Sequence, residues 1–254
     1  MNESASLELI ILGSGSAVQF QQRCSASYLL KIGNKNLLLD AGFYLLERLE
    51  QMSVSADKID YIFISHKHPD HFMGLIHLLF ALKNPVYNRR EPLIIFGFKG
   101  LSDYFRQFRN ILGKWIEPDF EVIIIEKEAM KFTEFSYKLF DTAHSEESVG
   151  IQIHINNKKI VYTSDTEFFP ELIDIVDHSS ITIFECATNE AEQIAGHLTV
   201  DDILKISKKS NIDKIILSHF YPNSLPSINL PENFLIAEDL LSVKICHPPK
   251  FYQE

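Results

Sequence analysis

The chain has 254 residues, 46% of them hydrophobic and 23% charged, with a formal net charge of −10. That composition supports a sizeable core and excludes disordered, repetitive or low-complexity architectures. The acidic balance argues against loose, sequence-independent nucleic-acid binding, although net charge does not report a local basic patch.

The longest apolar runs are strand-length, so no membrane span is expected. The first six residues, MNESAS, lack the basic start and apolar core of a secretory leader. Three cysteines (Cys24, Cys186, Cys246) are an odd number without ligand spacing. They read as small core residues in a reducing compartment, the cytoplasm. No linker composition divides the chain, so residues 1–254 are expected to form a single domain.

Leu7 to Leu12 reads as a strand, followed by Gly13-Ser-Gly-Ser16, a turn expected to need positive φ. It lacks a Walker lysine and the full dinucleotide fingerprint, so it carries little as a phosphate loop. Ala17 to Arg23 is a polar loop. Ser27–Ile32 and Asn36–Leu39 read as strands around a Gly33-Asn-Lys35 turn. Asp40-Ala-Gly42 ends the second strand, and Phe43–Met52 is a candidate amphipathic helix. Asp40 can act as a metal ligand or as the acceptor that orients one; the second role is preferred.

Tyr61 to Ile64 is an apolar strand, and His66, His68, Asp70 and His71 follow it within a few residues. His66 and His68 share a side in extended chain. Pro69 suits the first turn of a helix whose apolar body is Phe72–Leu82. A strand-to-helix turn can aim four N/O donors into one pocket. An all-histidine-and-carboxylate set fits a catalytic metal site better than a closed structural one.

Strands then follow at Pro92–Phe98, Phe120–Glu126 and Tyr137–Thr142, with a helix around Leu101–Leu112. His144 comes just after a strand. Val149–Ile155 and Lys159–Thr163 form a hairpin leading into Asp165. Ile181–Phe184 is a buried strand ending at Glu185. Thr199 caps a helix reaching Lys208, with Asp201 and Asp202 in its first turn. Ile212–Leu217 closes at His219, and the tail holds a possible helix near Glu232–Leu241. His77, His154, His178 and His247 read as surface or structural residues. The pattern is α/β (α+β): two mixed β-sheets packed face to face with helices outside, a four-layer αββα sandwich.

The H-x-H-x-D-H motif resembles the metallo-β-lactamase superfamily of metal-dependent hydrolases. The resemblance extends to His144, Asp165 and His219, which occur in the superfamily's order. It implies one site from His66, His68 and His144, and a second from Asp70, His71 and His219. Asp165 would bridge two divalent metal ions, zinc first, with iron or manganese also suited to these donors. A bridging hydroxide would be the nucleophile, with Asp70 placed to take its proton.

Leu12 to Ala17, Leu38 to Gly42, Ser164-Asp-Thr166, Phe184 to Thr188 and Gly196-His-Leu-Thr199 bring the chain nearest to ribonuclease Z and related phosphodiesterases. That branch implies His197 at the scissile phosphate and its leaving oxygen, oriented by Glu185. Two departures stand out. The family's early substrate loop, with proline, lysine and arginine, is here Gln19-Phe-Gln-Gln-Arg23, and only Arg23 is kept as a substrate-binding candidate. The long arm that grips transfer RNA has no room, because His144 and Asp165 are 21 positions apart (165 − 144). Ser164 stands where the family often has glycine.

The expected function is a dinuclear phosphodiesterase acting on a small phosphodiester or RNA. The alternatives are a true transfer-RNA 3′-endonuclease, an ester, lactone or thioester hydrolase, and a non-catalytic metal-bound scaffold or sensor. A homodimer is possible by analogy with the family.

Overall fold

A computed structural model of the protein describes residues 7–187, 194–222, 224–226 and 229–245. Thr188, Cys246 and His247 lie outside the described residues.

Two seven-stranded mixed sheets make up the body of the fold. The first contains β1 (Leu7–Gly13), β2 (Ser27–Ile32), β3 (Lys35–Leu39), β4 (Tyr61–Ile64), β5 (Leu93–Gly97) and β6 (Val122–Ile125). The second contains β7 (Ala129–Lys131), β8 (Ser136–Asp141), β9 (Val149–Ile155), β10 (Lys158–Tyr162), β11 (Ile181–Glu185), β12 (Ile215–Ser218) and β13 (Phe234–Ile236). The chain then returns to the first sheet, where β14 (Ser242–Lys244) pairs antiparallel with β1.

Helices α1 (Leu45–Gln51), α2 (Pro69–Leu82) and α3 (Leu101–Leu112) connect the parallel strands β3 to β6. Helices α4 (Leu172–Val176) and α5 (Val200–Ser207) do the same for β10, β11 and β12. Two mixed sheets with flanking helices are the arrangement expected from the strand order, and the metallo-β-lactamase fold that the resemblance implied. None of the described helices is long and apolar enough to cross a membrane.

The central strands read as near-continuous apolar runs because both of their faces are buried. Ile160, Tyr162, Ile183 and Ile216 point into the core between the sheets. Their neighbours Val161, Phe184, Ile215 and Leu217 point outward, under α4 and α5. The sheets meet where Tyr162 packs against Tyr28 and Phe63, with ring centroids 5.1 and 6.3 Å away. Such aromatic pairs contribute about 0.5–1.5 kcal/mol each beyond area burial.

A helical crossover returns each parallel strand in the same direction, so their carboxyl ends gather on one edge. The ends of β3, β4, β10, β11 and β12 all lie there, and each carries a residue singled out by the sequence. Helix α2 is tied to that edge at its first turn, where Ala41 N–H donates to His71 O and Gly74 N–H to Ala41 O, each at 2.8 Å. The cap expected at Thr199 is present, and it takes the form of a capping box with Asp202 as its partner.

Several local expectations are corrected. The tail forms β13 and β14 rather than a helix, because Phe-Leu-Ile in one and Ser-Val-Lys in the other are captured by open sheet edges. Strand β7 and helix α4 were not anticipated, since three and five residues are too short to show a period. Gly13 and Gly15 are absent from the positive-φ residues. Gly13 is required by close approach instead: a Cβ there would sit 2.0 Å from the Ser25 carbonyl oxygen.

Candidate metal centre

All seven residues of the expected ligand set converge on the shared strand edge. Asp165 lies between two groups of donors and turns one oxygen to each. Its Oδ2 is 3.8 Å from His66 Nε2 and 3.7 Å from His144 Nε2. His68 Nδ1 completes that group, 3.0 Å from His66 Nε2 and 3.1 Å from His144 Nε2. Asp165 Oδ1 is 3.4 Å from His71 Nε2 and 3.5 Å from His219 Nε2. Those two nitrogens are 3.1 Å apart, and Asp70 Oδ2 is 3.6 and 3.5 Å from them.

The donor chemistry fits divalent metal. Four donors about 2.0–2.1 Å from a tetrahedral ion stand roughly 3.3–3.4 Å from one another, the spacing both groups approach. His71 Nδ1 donates to Asp40 Oδ2 at 2.7 Å, and His144 Nδ1 donates to the Gly196 carbonyl at 2.9 Å. In their neutral forms this leaves a bare lone pair on each Nε2, facing the cluster. His66 Nδ1 is held by Ser65 Oγ at 2.9 Å. Asp165 Oδ1 is buried without a hydrogen-bond partner among the described residues, an orphan that a cation would satisfy.

Burial, followed by the charge of His71, pushes His66 well below the usual imidazole range. Burial opposes a charge on His71 as well, but Asp165, Asp70 and Asp40 together hold it well above that range. Asp165 is held well below the carboxylate range: burial works against its charge, but His219 and His71 outweigh it. Asp70 is likewise depressed, with His71 and His219 overcoming burial. Three carboxylates around one pocket demand positive charge. A proton on His71 meets part of that demand without metal, and a divalent ion would displace it.

Asp40 has the supporting geometry expected of it. Fully buried, its Oδ1 accepts from Ser65 N–H at 2.8 Å. Its Oδ2 accepts from Ser65 Oγ, Tyr162 Oη and His71 Nδ1, each at 2.7 Å.

Above the cluster, the His197 ring stacks on His219 at 5.7 Å and 16° and meets His144 edge-on at 5.0 Å. Its Nδ1 is 3.3 Å from Glu185 Oε1, within ion-pair reach but off the line of a hydrogen bond. Burial opposes the imidazolium, yet Glu185 raises His197 above its ordinary range. Glu185 is itself fixed by backbone: Leu198 N–H donates to Oε1 at 2.6 Å and Ala187 N–H to Oε2 at 2.9 Å.

Arg23 differs from expectation. It is buried, and its Nη1 donates to Ser14 Oγ at 2.7 Å and to the Ala237 carbonyl. The guanidinium lies 5.1 Å from the centroid of the Phe220 ring. In place of a group turned toward substrate, the structure shows a strap bracing the residue after His219. Asp239 completes that strap by accepting from Ser14 N–H, Ser14 Oγ and Cys24 N–H. No local spacing announced it, because Asp239 and Ser14 are 225 positions apart.

Tyr221 was also missed. Its ring lies 5.9 Å from that of His197 and 6.1 Å from that of His219. His77 and His154 are exposed on α2 and β9, and His178 follows α4 beside Asp177, all away from the cluster.

Known proteins are similar to this chain in sequence and in fold. Ribonuclease Z of Pyrococcus horikoshii is 26% identical, aligned over 85% of this chain and 87% of its own length. The short form of human tRNase Z superposes with a TM-score of 0.81 at 21% identity, covering 94% of this chain and all of that one. The metallo-β-lactamase fold protein YhfI from Bacillus subtilis gives 0.77 at 20% identity, covering 94% and 99%. The expected ribonuclease Z-like resemblance, without a long arm, is therefore present. The family model described as "Anti-Pycsar protein Apyc1" matches residues 7–235, a span that includes both donor groups, Asp40, Glu185 and His197. The chain belongs to the family of the anti-Pycsar protein Apyc1.

Proposed function

We propose that the protein is a phosphodiesterase of the ribonuclease Z-like branch, working with two divalent ions, zinc first among them. His66, His68 and His144 would hold one ion; Asp70, His71 and His219 the other; Asp165 would bridge. Bound there, such ions supply Lewis acidity and bring coordinated water toward ionisation near neutral pH.

The observation that carries the reading is His197. It stands outside the two donor groups assigned above, though within metal-holding reach of Asp165 and His219. It lies over both groups, raised in proton affinity by a glutamate that backbone N–H groups hold in place. A group so placed can keep a proton near neutral pH and give it, or a hydrogen bond, to a departing alkoxide. Displacement at phosphorus needs such a donor. Asp70, ionised and itself a member of the second group, is placed to accept the proton of the attacking water. Glu185 orients His197 and favours its charged form.

Transfer-RNA 3′ processing is a weaker reading despite the ribonuclease Z similarity. The interval between His144 and Asp165 is taken up largely by β9 and β10, joined across Asn156-Asn157, which leaves no arm.

The test is turnover of bis-(p-nitrophenyl) phosphate by metal-loaded protein beside His68→Ala and His197→Ala. Wild-type activity with loss in both variants is expected. Equal rates in all three would end the reading.

A further inference from the structure

Tyr221 stands at the same cluster without an assigned role. Phe220 turns inward beneath Arg23, whereas the ring of Tyr221 lies on the side of His219. The rings of His197, His219 and Tyr221 form a triangle with sides of 5.7, 5.9 and 6.1 Å. Tyr221 meets both imidazoles at the same tilt, 66°.

The other two phenols near the centre are buried and committed, Tyr28 to Ser218 Oγ and Tyr162 to Asp40. Tyr221 is half-buried, and among the described residues its hydroxyl has no hydrogen-bond partner. Ser224 is bonded to its backbone carbonyl only, through N–H at 3.1 Å and Oγ at 2.8 Å. A phenol with a fixed ring and an uncommitted hydroxyl beside two functional imidazoles is available to a ligand.

We propose that Tyr221 is a substrate-contacting residue whose hydroxyl donates a hydrogen bond to a phosphoryl oxygen, on the side where His197 meets the leaving group. This rests on the phosphodiesterase reading of the site. A neutral phenol donates without adding charge, so it serves a phosphoryl oxygen as negative charge builds on it. The ring's second effect is to limit rotation of His197.

The decisive comparison is Tyr221→Phe, which keeps the ring and removes only the hydroxyl. Loss of one such donor is expected to lower kcat/KM for bis-(p-nitrophenyl) phosphate about 10- to 100-fold. Bound metal and melting temperature should stay at wild-type values. Affinity of the metal-loaded protein for inorganic phosphate should also fall, several-fold, as read by calorimetry. Tyr221→Ala should lose more, because His197 is also released. Unchanged kinetics in Tyr221→Phe would overturn the proposal while leaving the phosphodiesterase reading intact. If wild-type protein turns over no phosphodiester, that reading fails, and the phosphate titration then decides alone: equal affinities for the two proteins would refute the contact.

Discussion

Replacing Asp40 by asparagine tests how the cluster is held. Asparagine tolerates positive φ nearly as well as aspartate, and Asp40 has φ +56°, so the backbone is not the variable. The carboxylate accepts four hydrogen bonds, one on Oδ1 and three on Oδ2. An amide has one acceptor oxygen. If that oxygen faces His71, Tyr162 and Ser65 Oγ, the NH2 group faces Ser65 N–H, donor against donor. A buried donor left unpaired costs about 1–3 kcal/mol, and charged acceptors bind roughly twice as strongly as neutral ones. The combined loss is about 3–4 kcal/mol, or roughly 6–15 °C in melting temperature for a chain of this size. His71 contacts Asp40 directly, whereas His66 reaches it only through Ser65 Oγ. Affinity for the second equivalent of metal should therefore fall about 10- to 100-fold, and for the first by less. Competition against a chromophoric chelator, beside thermal unfolding, reads both quantities. Two equivalents bound at wild-type affinity would refute the assignment of Asp40 as the support of His71.

Gly196 has φ +85°, and a Cβ there would lie 2.6 Å from His144 Nδ1. Gly196→Ala should displace His144 and weaken the His66/His68/His144 group selectively, which elemental analysis after mild chelation can measure. Ser164 has φ +55° and a buried hydroxyl without a partner among the described residues. Ser164→Gly should raise stability by about 1 kcal/mol, after the entropy cost of glycine, as seen in a melting curve. Glu126 accepts from the N–H groups of Gly100 (2.8 Å) and Ser102 (2.7 Å) at the start of α3. Although burial opposes it, hydrogen bonding to Ser102 and that backbone holds its carboxyl below the ordinary value of 4.5. Its folded value is depressed, so its contribution is present above about pH 4.5 and is lost as pH falls through the folded value. Glu126→Gln should cost about 0.5 kcal/mol at neutral pH, since solvent screens an exposed carboxylate, and less in acid, by urea titration across pH.

The candidate site was legible because the donors that metal chemistry needs are rare residue types, and the fold puts them where strands end. His66, His68, Asp70 and His71 are close in sequence, and His144, Asp165 and His219 each follow an apolar run. The supports were readable only in part. Asp40 ends a strand and is ionisable, so its role could be framed in advance, but Tyr162 as its partner could not. Arg23 was placed at substrate by family analogy; of its actual partners, Ser14 follows β1 and Ala237 is brought to it by the tail crossing between sheets. Tyr221 is a lone aromatic with no spacing to mark it. In the tail, Phe234–Ile236 and Ser242–Lys244 are strands only because β12 and β1 offer unpaired edges, a tertiary cause that no local window contains.

Backbone strain is the last thread joining fold to site. Asp40, Ser164 and His219 all have left-handed φ, +56°, +55° and +59°, and each sits just past the end of a different strand. Such residues cost of order 1 kcal/mol or more each, so three at one edge need a shared cause. The left-handed turn changes the course of the chain at each strand end, where Asp40, His219 and Asp165, the residue after Ser164, meet the cluster. Each turn is also held from outside. Asp40 N–H donates to Phe63 O, and Asp40 has its four hydrogen bonds. Thr163, before Ser164, gives its N–H to Ile183 O and its hydroxyl to the Ser164 carbonyl. Phe220, after His219, gives its N–H to Ser14 O and lies under Arg23. Arg23 and Asp239 therefore belong to the cost of holding His219 in its strained turn. It follows that Asp239→Asn should loosen the Asp70/His71/His219 group while leaving His66, His68 and His144 with wild-type affinity. A uniform loss across both groups would show that the strap serves the fold as a whole rather than His219.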